Sequence, residues 1–275
     1  MIKVNDKIIN QERFGDNTLK IGTIFPYREF SAIPSIKITW CYDNDSELFA
    51  LQCIVDHYKE CYPRGIITLE LPYIPNARQD RKVSNRLFTL KSFANIINSM
   101  EFDYVLVLDP HSDVSKALIN NVEEDMPIIT EIDQCVYDAI MFPDNGAAKK
   151  YLQYFNNNCK DIIIGNKHRN DEGRIDSYEL INFKDGVEKV LIVDDICSYG
   201  GTFISAAKAL REKGVKRIDL AVSHCEENIF KGQVFDYINK IFTTDSILDL
   251  NNMSINVDEK ILDKIIFLKR YRNEN

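Results

Sequence analysis

Residues 189–203 read KVLIVDDICSYGGTF. Four apolar residues, Val190–Val193, run into two adjacent carboxylates, Asp194 and Asp195, and the chain then turns through Ser198-Tyr199-Gly200-Gly201-Thr202. Beyond Thr202, Ala206, Ala207, Ala209 and Leu210 recur at helical spacing. A short apolar run closed by glycines reads as a buried parallel strand, a tight turn and then a helix. That order sets the unpaired N–H groups of a helix N-terminus beside the turn, where they attract an anion, most often a phosphate. Carboxylates repel phosphate, so Asp194 and Asp195 suit ribose hydroxyls or a divalent cation bridging to a second phosphate group. The plain alternative is an ordinary βα turn with a solvated acidic pair.

Working outward, apolar runs of strand length recur at Leu19–Phe25, Ile36–Trp40, Ile66–Leu71, Tyr104–Leu108, Tyr137–Phe142, Ile162–Ile164, Ile218–Val222 and Lys240–Thr243. Helical periodicity covers Glu47–Lys59, Leu90–Met100, Gly201–Glu212 and Asn228–Ile238, and Asn44 and Glu47 are spaced as a capping box. Strands alternating with helices of this length predict an α/β fold with largely parallel sheets covered by helices on both faces. The 275 residues suit two such units. The polar segment Asn120–Pro127 is the expected break, giving domains 1–126 and 127–275. Ile261–Leu268 is apolar enough to pack, and the polar tail beyond it is expected to fray.

Composition narrows the function. An apolar content of 45% excludes a disordered chain, and no stretch approaches the roughly 20 apolar residues of a membrane span. The opening MIKVNDKIINQERF lacks an apolar h-region, so no signal peptide is expected. Seven cysteines, an odd number without a C-x-x-C pair, fit a reduced, cytoplasmic setting. A net charge of −8 argues against a general nucleic-acid surface. Basic clusters nevertheless occur at Arg78–Lys82, Lys149-Lys150, Lys167–Arg169 and Lys269–Arg272. Small basic clusters beside acidic strand tips fit an enzyme for magnesium-complexed phosphates.

Four further stretches carry chemistry. Leu108-Asp109-Pro110-His111-Ser112 closes a strand with a carboxylate and an imidazole that can reach one cation or one polyphosphate. Leu71–Lys82 leads a strand into a proline-stiffened loop presenting Arg78, Gln79, Asp80, Arg81 and Lys82. Arginine's planar fork suits phosphate oxygens or the face of a purine. Phe142–Lys150 again places a carboxylate, Asp144, then a glycine at a strand-to-helix turn. Gly165–Arg174 is densely charged and without apolar period. A helix or hairpin could form there, but a mobile lid carrying cations over a phosphate site suits the composition better.

In combination these motifs resemble the ribose-phosphate diphosphokinases, also called phosphoribosyl pyrophosphate synthetases. The family's PYxxYARQD stands here as PYIPNARQD, Pro72–Asp80, and its D-x-H as Asp109-Pro110-His111. Its Asp-x-Gly turn stands as Pro143–Lys149, its K-x-R loop as Lys167-His168-Arg169, and its sugar-phosphate loop as Val193–Thr202. The five follow the family's order over residues 72–202. The resemblance implies two tandem phosphoribosyltransferase-like domains and transfer of the β,γ-diphosphate of ATP to the anomeric hydroxyl of ribose 5-phosphate, with Mg²⁺. It implies catalytic roles for Lys167 and Arg169 and ATP contacts from Arg78, Gln79 and His111. Phe25 and Glu29, from the segment Phe25–Glu29, would join them, reaching the adenine from a neighbouring subunit of a homo-oligomer. Metal binding would fall to Asp109, His111 and Asp144. The acceptor would be held by Asp144, Asp194, Asp195, Ser198, Tyr199, Gly200, Gly201 and Thr202.

Departures bear on the acceptor. In the sugar-phosphate loop the family's Asp-Thr is Ser198-Tyr199. One acidic side chain is gone, and a flat aromatic face stands where a threonine would meet a 5-phosphate. Ribose 5-phosphate and a larger ribose such as that of ADP-ribose both stay open as acceptors. A non-catalytic homologue and a phosphoribosyltransferase are the remaining alternatives. The chain also has Val83 where the family usually carries an Asp, and Tyr27 in place of a polar residue.

Overall fold

A computed structural model describes residues 1–22, 34–155, 161–169 and 175–272, apart from the side chains of residues 168, 169, 175 and 176. They form two compact units, Met1–Met126 and Pro127–Asn275. In the first unit the elements are β1 (Ile2–Val4), β2 (Lys7–Ile8), β3 (Glu12–Arg13), β4 (Leu19–Lys20), β5 (Ser35–Trp40), α1 (Glu47–Cys61), β6 (Ile66–Leu71), α2 (Thr89–Ser99), β7 (Tyr104–Leu108), α3 (Asp113–Leu118) and β8 (Val122–Asp125). The sheet order is β2-β1-β5-β6-β7-β8, with β5 to β8 parallel and β1 antiparallel to both its neighbours.

The first core is built from alternate residues of these strands and the inner faces of α1 and α2. Ile38, Trp40, Leu69 and Val107 meet Leu51, Ile54, Tyr58, Phe93 and Ile97. Each fully buried side chain of this size contributes about 1.5–3 kcal/mol. The capping box expected at α1 does not form. Asn44 Oδ1 accepts from the Ser46 N–H at 3.1 Å, and the Glu47 carboxylate turns inward. There it accepts from the Trp40 indole and the Asp43 N–H, each at 2.9 Å, and from the Met1 ammonium. A buried carboxylate takes the partners that satisfy it best, and those come from Trp40 of β5, the turn after it and the N-terminus rather than from the helix's own first turn.

The second unit comprises β9 (Ala139–Phe142), α4 (Asn145–Tyr151), β10 (Asp161–Arg169), β11 (Ile175–Ile181), β12 (Lys189–Cys197), α5 (Gly201–Glu212), β13 (Arg217–Cys225), α6 (Val234–Tyr237), β14 (Ile241–Thr244), α7 (Glu259–Leu262) and β15 (Ile265–Lys269). Its sheet runs β11-β10-β9-β12-β13-β14-β15, parallel except for the antiparallel edge strand β11. One face packs Ala206, Ala207 and Leu210 of α5 against Val190, Ile192, Leu220 and Val222, and the other gathers Phe142, Tyr151, Phe155, Leu191 and Val193.

Three expectations are corrected here. Gly165–Arg169 is not loop: it extends β10 and pairs antiparallel with β11, Lys167 opposite Tyr178 and Asn166 opposite Glu179. Charged residues on a strand edge paired across a hairpin lose the apolar period without losing the strand. Asn228–Ile238 is not one helix but a 3₁₀ segment, Glu227–Lys231, and the single-turn α6, separated at Gly232. A β-carbon on Gly232 would lie 2.4 Å from the Tyr199 carbonyl oxygen, so the chain is held open there by close backbone approach. The tail packs as far as Arg272. Asp245 accepts from the Arg272 N–H at 3.1 Å and from the Tyr271 N–H, and Arg272 Nε donates to the Asp245 carbonyl at 3.0 Å.

Candidate active site

The chain leaves β9 through α4 to reach β10 on one side, and later returns as β12 on the other, after which β13, β14 and β15 continue outward. The carboxyl end of β9 is therefore the point where the strand order reverses, the place open α/β sheets leave a crevice for ligands. Pro143 and Asp144 follow β9 directly, Asp194 and Asp195 lie near the end of β12, and Lys167 lies in the extension of β10.

Asp144 joins these elements. Its Oδ1 caps α4 by accepting from the Ala147 N–H at 3.0 Å, and its Oδ2 accepts from Lys167 Nζ at 2.7 Å. Burial works against the Asp144 carboxylate, yet the Lys167 ammonium and the Ala147 N–H outweigh it and hold its pKa below the usual carboxylate value. The ammonium is thus kept at the tip of β9.

Sequence reasoning missed Tyr178. From β11 its hydroxyl crosses β10 and donates to the Pro143 carbonyl at 2.8 Å. It can do so because residue 165 is glycine: a β-carbon there would lie 2.0 Å from the Tyr178 hydroxyl and 2.7 Å from the Pro143 oxygen. Burial and then the Asp144 and Asp194 charges push the phenol's pKa well up, so it stays a donor. The available signal was Gly165 itself, an isolated glycine inside a strand marking close approach.

On β12 the Asp194 carboxyl is pushed well above its usual range by burial and by the charge of Asp195, with Asp144 adding to it. The Asp195 N–H donates to Asp194 Oδ1 at 2.9 Å. Three acidic groups therefore share one electrostatic neighbourhood, which hydroxyl donors or a cation would relieve. Beyond them Gly200 adopts a left-handed backbone, φ 79°, and Gly201 opens α5. A β-carbon on Gly200 would lie 2.9 Å from Val234, so position 200 demands glycine on two counts. Thr202 is half-buried in the first turn of α5. Tyr199 points outward, 55% exposed. Ser198 donates its hydroxyl to Glu226, a residue the sequence did not flag. Cys197 is buried, and its own S–H hydrogen bonding with Cys225 on the next strand, then burial, hold its thiol well up, which makes it inert as a nucleophile. His224 is likewise buried, with Nδ1 2.9 Å from Ser246 Oγ.

In the first unit Asp109 ends β7 with a left-handed backbone, φ 44°, and only 1% of its surface exposed. A non-glycine residue in that region is strained, and such strain gathers at functional sites. His111 is exposed two residues on, and Arg78 and Gln79 lie on the loop after β6, Gln79 exposed and Arg78 exposed beside it. Gln79 Oε1 accepts from the Thr89 hydroxyl at 2.7 Å, tying that loop to the start of α2. Phe25, Glu29, Tyr27 and Phe30 lie outside the described residues, as does the side chain of Arg169. Among the described residues no group of three or more His, Cys, Asp or Glu side chains is arranged to hold a metal ion. Mg²⁺ commonly needs only one or two carboxylates, substrate phosphate and water completing its shell, and the acidic neighbourhood of Asp144 and Asp194 offers such oxygens. No helix among the described residues is long and apolar enough to cross a membrane.

Residues 147–259 match the phosphoribosyl transferase domain family. Over 249 residues the chain is 27% identical to a ribose-phosphate pyrophosphokinase of Thermosipho africanus, covering 86% of this chain and 77% of that protein. Over 263 residues it is 28% identical to one of Ureaplasma parvum, covering 90% and 78%. Among solved structures, phosphoribosylpyrophosphate synthetase from Mycobacterium smegmatis shares the fold with a TM-score of 0.72 at 18% identity, over 95% of this chain and 85% of that one. Across most of its length the chain is thus similar, as a divergent relative, to the ribose-phosphate pyrophosphokinases (phosphoribosyl pyrophosphate synthetases).

Proposed function

We propose that the chain transfers the β,γ-diphosphate of ATP to the anomeric hydroxyl of a ribose that carries a phosphoryl group on its 5-oxygen. The ribose 1-oxygen bonds to the β-phosphorus, the bond from that phosphorus to the oxygen shared with the α-phosphate breaks, and AMP leaves with the electron pair. The hydroxyl proton passes to solvent. The observation that carries this reading is the Lys167–Asp144 pair, 2.7 Å apart, at the reversal of a sheet whose next strand carries Asp194-Asp195 near its end.

Asp194 and Asp195 accept hydrogen bonds from the ribose 2- and 3-hydroxyls and aim the 1-hydroxyl. Lys167, with Arg169, meets the charge spread over the transferring group. Asp144 holds Lys167 ready and helps to seat the sugar. The N–H groups at the start of α5, Gly201 and Thr202, face the 5-phosphoryl group. Asp109, His111, Arg78 and Gln79 serve ATP, and the Phe25–Glu29 segment would bring adenine contacts from a neighbouring subunit of a homo-oligomer. Asp109 and His111 would hold magnesium bound with the nucleotide, and that ion would supply charge neutralisation and polarise the phosphoryl group.

The names of the relatives point to ribose 5-phosphate as acceptor, and the exposed Tyr199 ring beside the sugar loop keeps a larger ribose in play. The test is to incubate the protein with ATP and Mg²⁺ and either ribose 5-phosphate or ADP-ribose, and to follow AMP and the diphosphorylated sugar. AMP formed in step with that product supports the reading. No AMP with either acceptor refutes it.

A further inference from the structure

The sugar loop is held from behind by residues 226–234. The Glu226 N–H donates to the Cys197 carbonyl at 2.8 Å, Gly232 lies against the Tyr199 carbonyl, and Val234 lies against Gly200. Within this frame one contact brings a carboxylate to the loop. Glu226 Oε2 accepts from the Ser198 hydroxyl and, at 3.3 Å, from Asn228 Nδ2. A serine has a single O–H to donate. With that hydrogen spent on Glu226, Ser198 turns only lone pairs toward whatever enters the loop, and a carboxylate stands directly behind it. Both changes oppose a strongly charged anion at a loop whose remaining donors, the N–H groups opening α5, favour one.

We infer that Glu226, acting through Ser198, is a specificity residue that selects against a terminal phosphate monoester and for a ribose whose 5-oxygen is part of a diphosphate diester. This rests on the diphosphoryl-transfer reading above and deepens it. A phosphate monoester carries about −1.5 to −2 charges at pH 7. The phosphoryl group next to the ribose in a diphosphate diester has one ionisable oxygen and carries a single charge, so it suffers less from the carboxylate and asks for fewer donors. Its other end has to leave the loop, and the rim there is the exposed Tyr199 ring, a flat face on which a sugar or base can lie. Position 198 and position 199 thus act together: the first weakens the grip on a compact dianion, and the second offers surface to an extended ligand.

The experiment measures acceptor binding by calorimetry without ATP, and separately kcat and KM with ATP and Mg²⁺, using ribose 5-phosphate and ADP-ribose. The wild-type chain is expected to bind ADP-ribose more tightly. Glu226→Gln removes the charge but keeps the shape, and should shift the ratio of the two affinities toward ribose 5-phosphate by on the order of tenfold, the scale of one charge beside a partly solvated anion. The shift should appear in KM rather than in kcat. Ser198→Ala leaves the carboxylate in place and should not restore ribose 5-phosphate binding. The inference is overturned if the wild-type chain binds ribose 5-phosphate as well as ADP-ribose, or if Glu226→Gln alters both affinities alike. Because binding is read without turnover, a failure to release AMP would overturn the proposed reaction and still leave the choice of acceptor measured.

Discussion

The two sheets use the same alternation of parallel strand and helix, yet their strand orders differ at one place. From β5 to β8 the first sheet steps steadily in one direction, so its motif-bearing tips, the loop after β6 and Asp109 after β7, stand in a row on neighbouring strands. The second sheet reverses at β9, with β10 on one side and β12 on the other. Three strand tips then converge, and charges from three separate stretches of sequence fall within one another's influence: Lys167, Asp144 and the Asp194-Asp195 pair. The fold class is common to both units, and the reversal is what gathers these charges in the second.

This contrast is open to attack, most strongly at Lys167. Lys167→Ala should lower kcat by about 10²–10³, the usual loss when one well-placed donor to a transition-state charge is removed. His111→Ala, in the first unit, should instead raise the KM for ATP and spare kcat by comparison. Steady-state kinetics of the two variants checks this. Equal effects on the same parameter would erase the division of labour between the sheets.

Asp194→Asn sharpens the comparison in a different way, since it should separate stability from function. Burial and Asp195 raise the folded-state pKa of Asp194 well above its value in the unfolded chain. The folded state therefore keeps a proton that the unfolded state has lost, and stability falls as pH rises above the unfolded value of about 4 until the folded pKa is passed. Without a titrating group the Asn variant escapes that decline. Its melting temperature should gain on the wild type as pH rises above about 4, while its KM for acceptor rises about tenfold to a hundredfold, the worth of lost hydrogen bonds to a charged group. Thermal unfolding across pH, paired with kinetics, checks both. A variant less stable than wild type at neutral pH would show that Asp194 has a structural partner outweighing the repulsion.

How much of this was legible in the sequence follows the same line. β12 and β13 are buried along most of their length, so they read as largely apolar runs, interrupted in β13 by Asp219, and α5 spans the residues its periodicity marks. The strand-tip carboxylates were equally visible, because an apolar run that ends abruptly in Asp194-Asp195 marks where a buried strand reaches the mouth of its sheet. What failed depended on contacts distant in sequence. Gly165–Arg169 looked like loop because its partner strand, Ile175–Ile181, supplies the order. Asn228–Ile238 carried helical spacing but is interrupted at Gly232 by the backbone of Tyr199. Tyr178 and Glu226 belong to no local pattern, and only tertiary pairing brings one to Pro143 and the other to Ser198.

Gly165→Ala tests that pairing directly. The added methyl would sit 2.0 Å from the Tyr178 hydroxyl and 2.7 Å from a backbone oxygen, so either the ring or the turn must move. Overpacking of this kind costs about 1–3 kcal/mol. The loss should appear as a lowered denaturant midpoint together with a fall in kcat, since the displaced elements carry Lys167 and Asp144. Loss of stability with kcat intact would uncouple the strand from the chemistry.

The smallest expected effect belongs to Tyr178→Phe. The ring that fills the space over Gly165 is retained and only the hydroxyl is removed, so the direct loss is one hydrogen bond to the Pro143 carbonyl, net about 0.5–1.5 kcal/mol. Asp144 lies one residue beyond that carbonyl and holds Lys167, so releasing the turn should loosen the Lys167–Asp144 pair rather than abolish it. The expected outcome is a fall in kcat of about tenfold or less, the rate equivalent of that one bond, with KM for acceptor little changed. Tyr178 is a positioning residue on this account, since its hydroxyl reaches the chemistry only through Pro143 and Asp144. The comparison with Gly165→Ala decides the matter. If Tyr178→Phe lowers kcat while Gly165→Ala lowers it further, the hydroxyl and the glycine act on the same turn. If the Phe variant keeps full kcat and loses only stability, the phenol packs the hairpin and the Lys167–Asp144 pair is held by Asp144's own place at the start of α4.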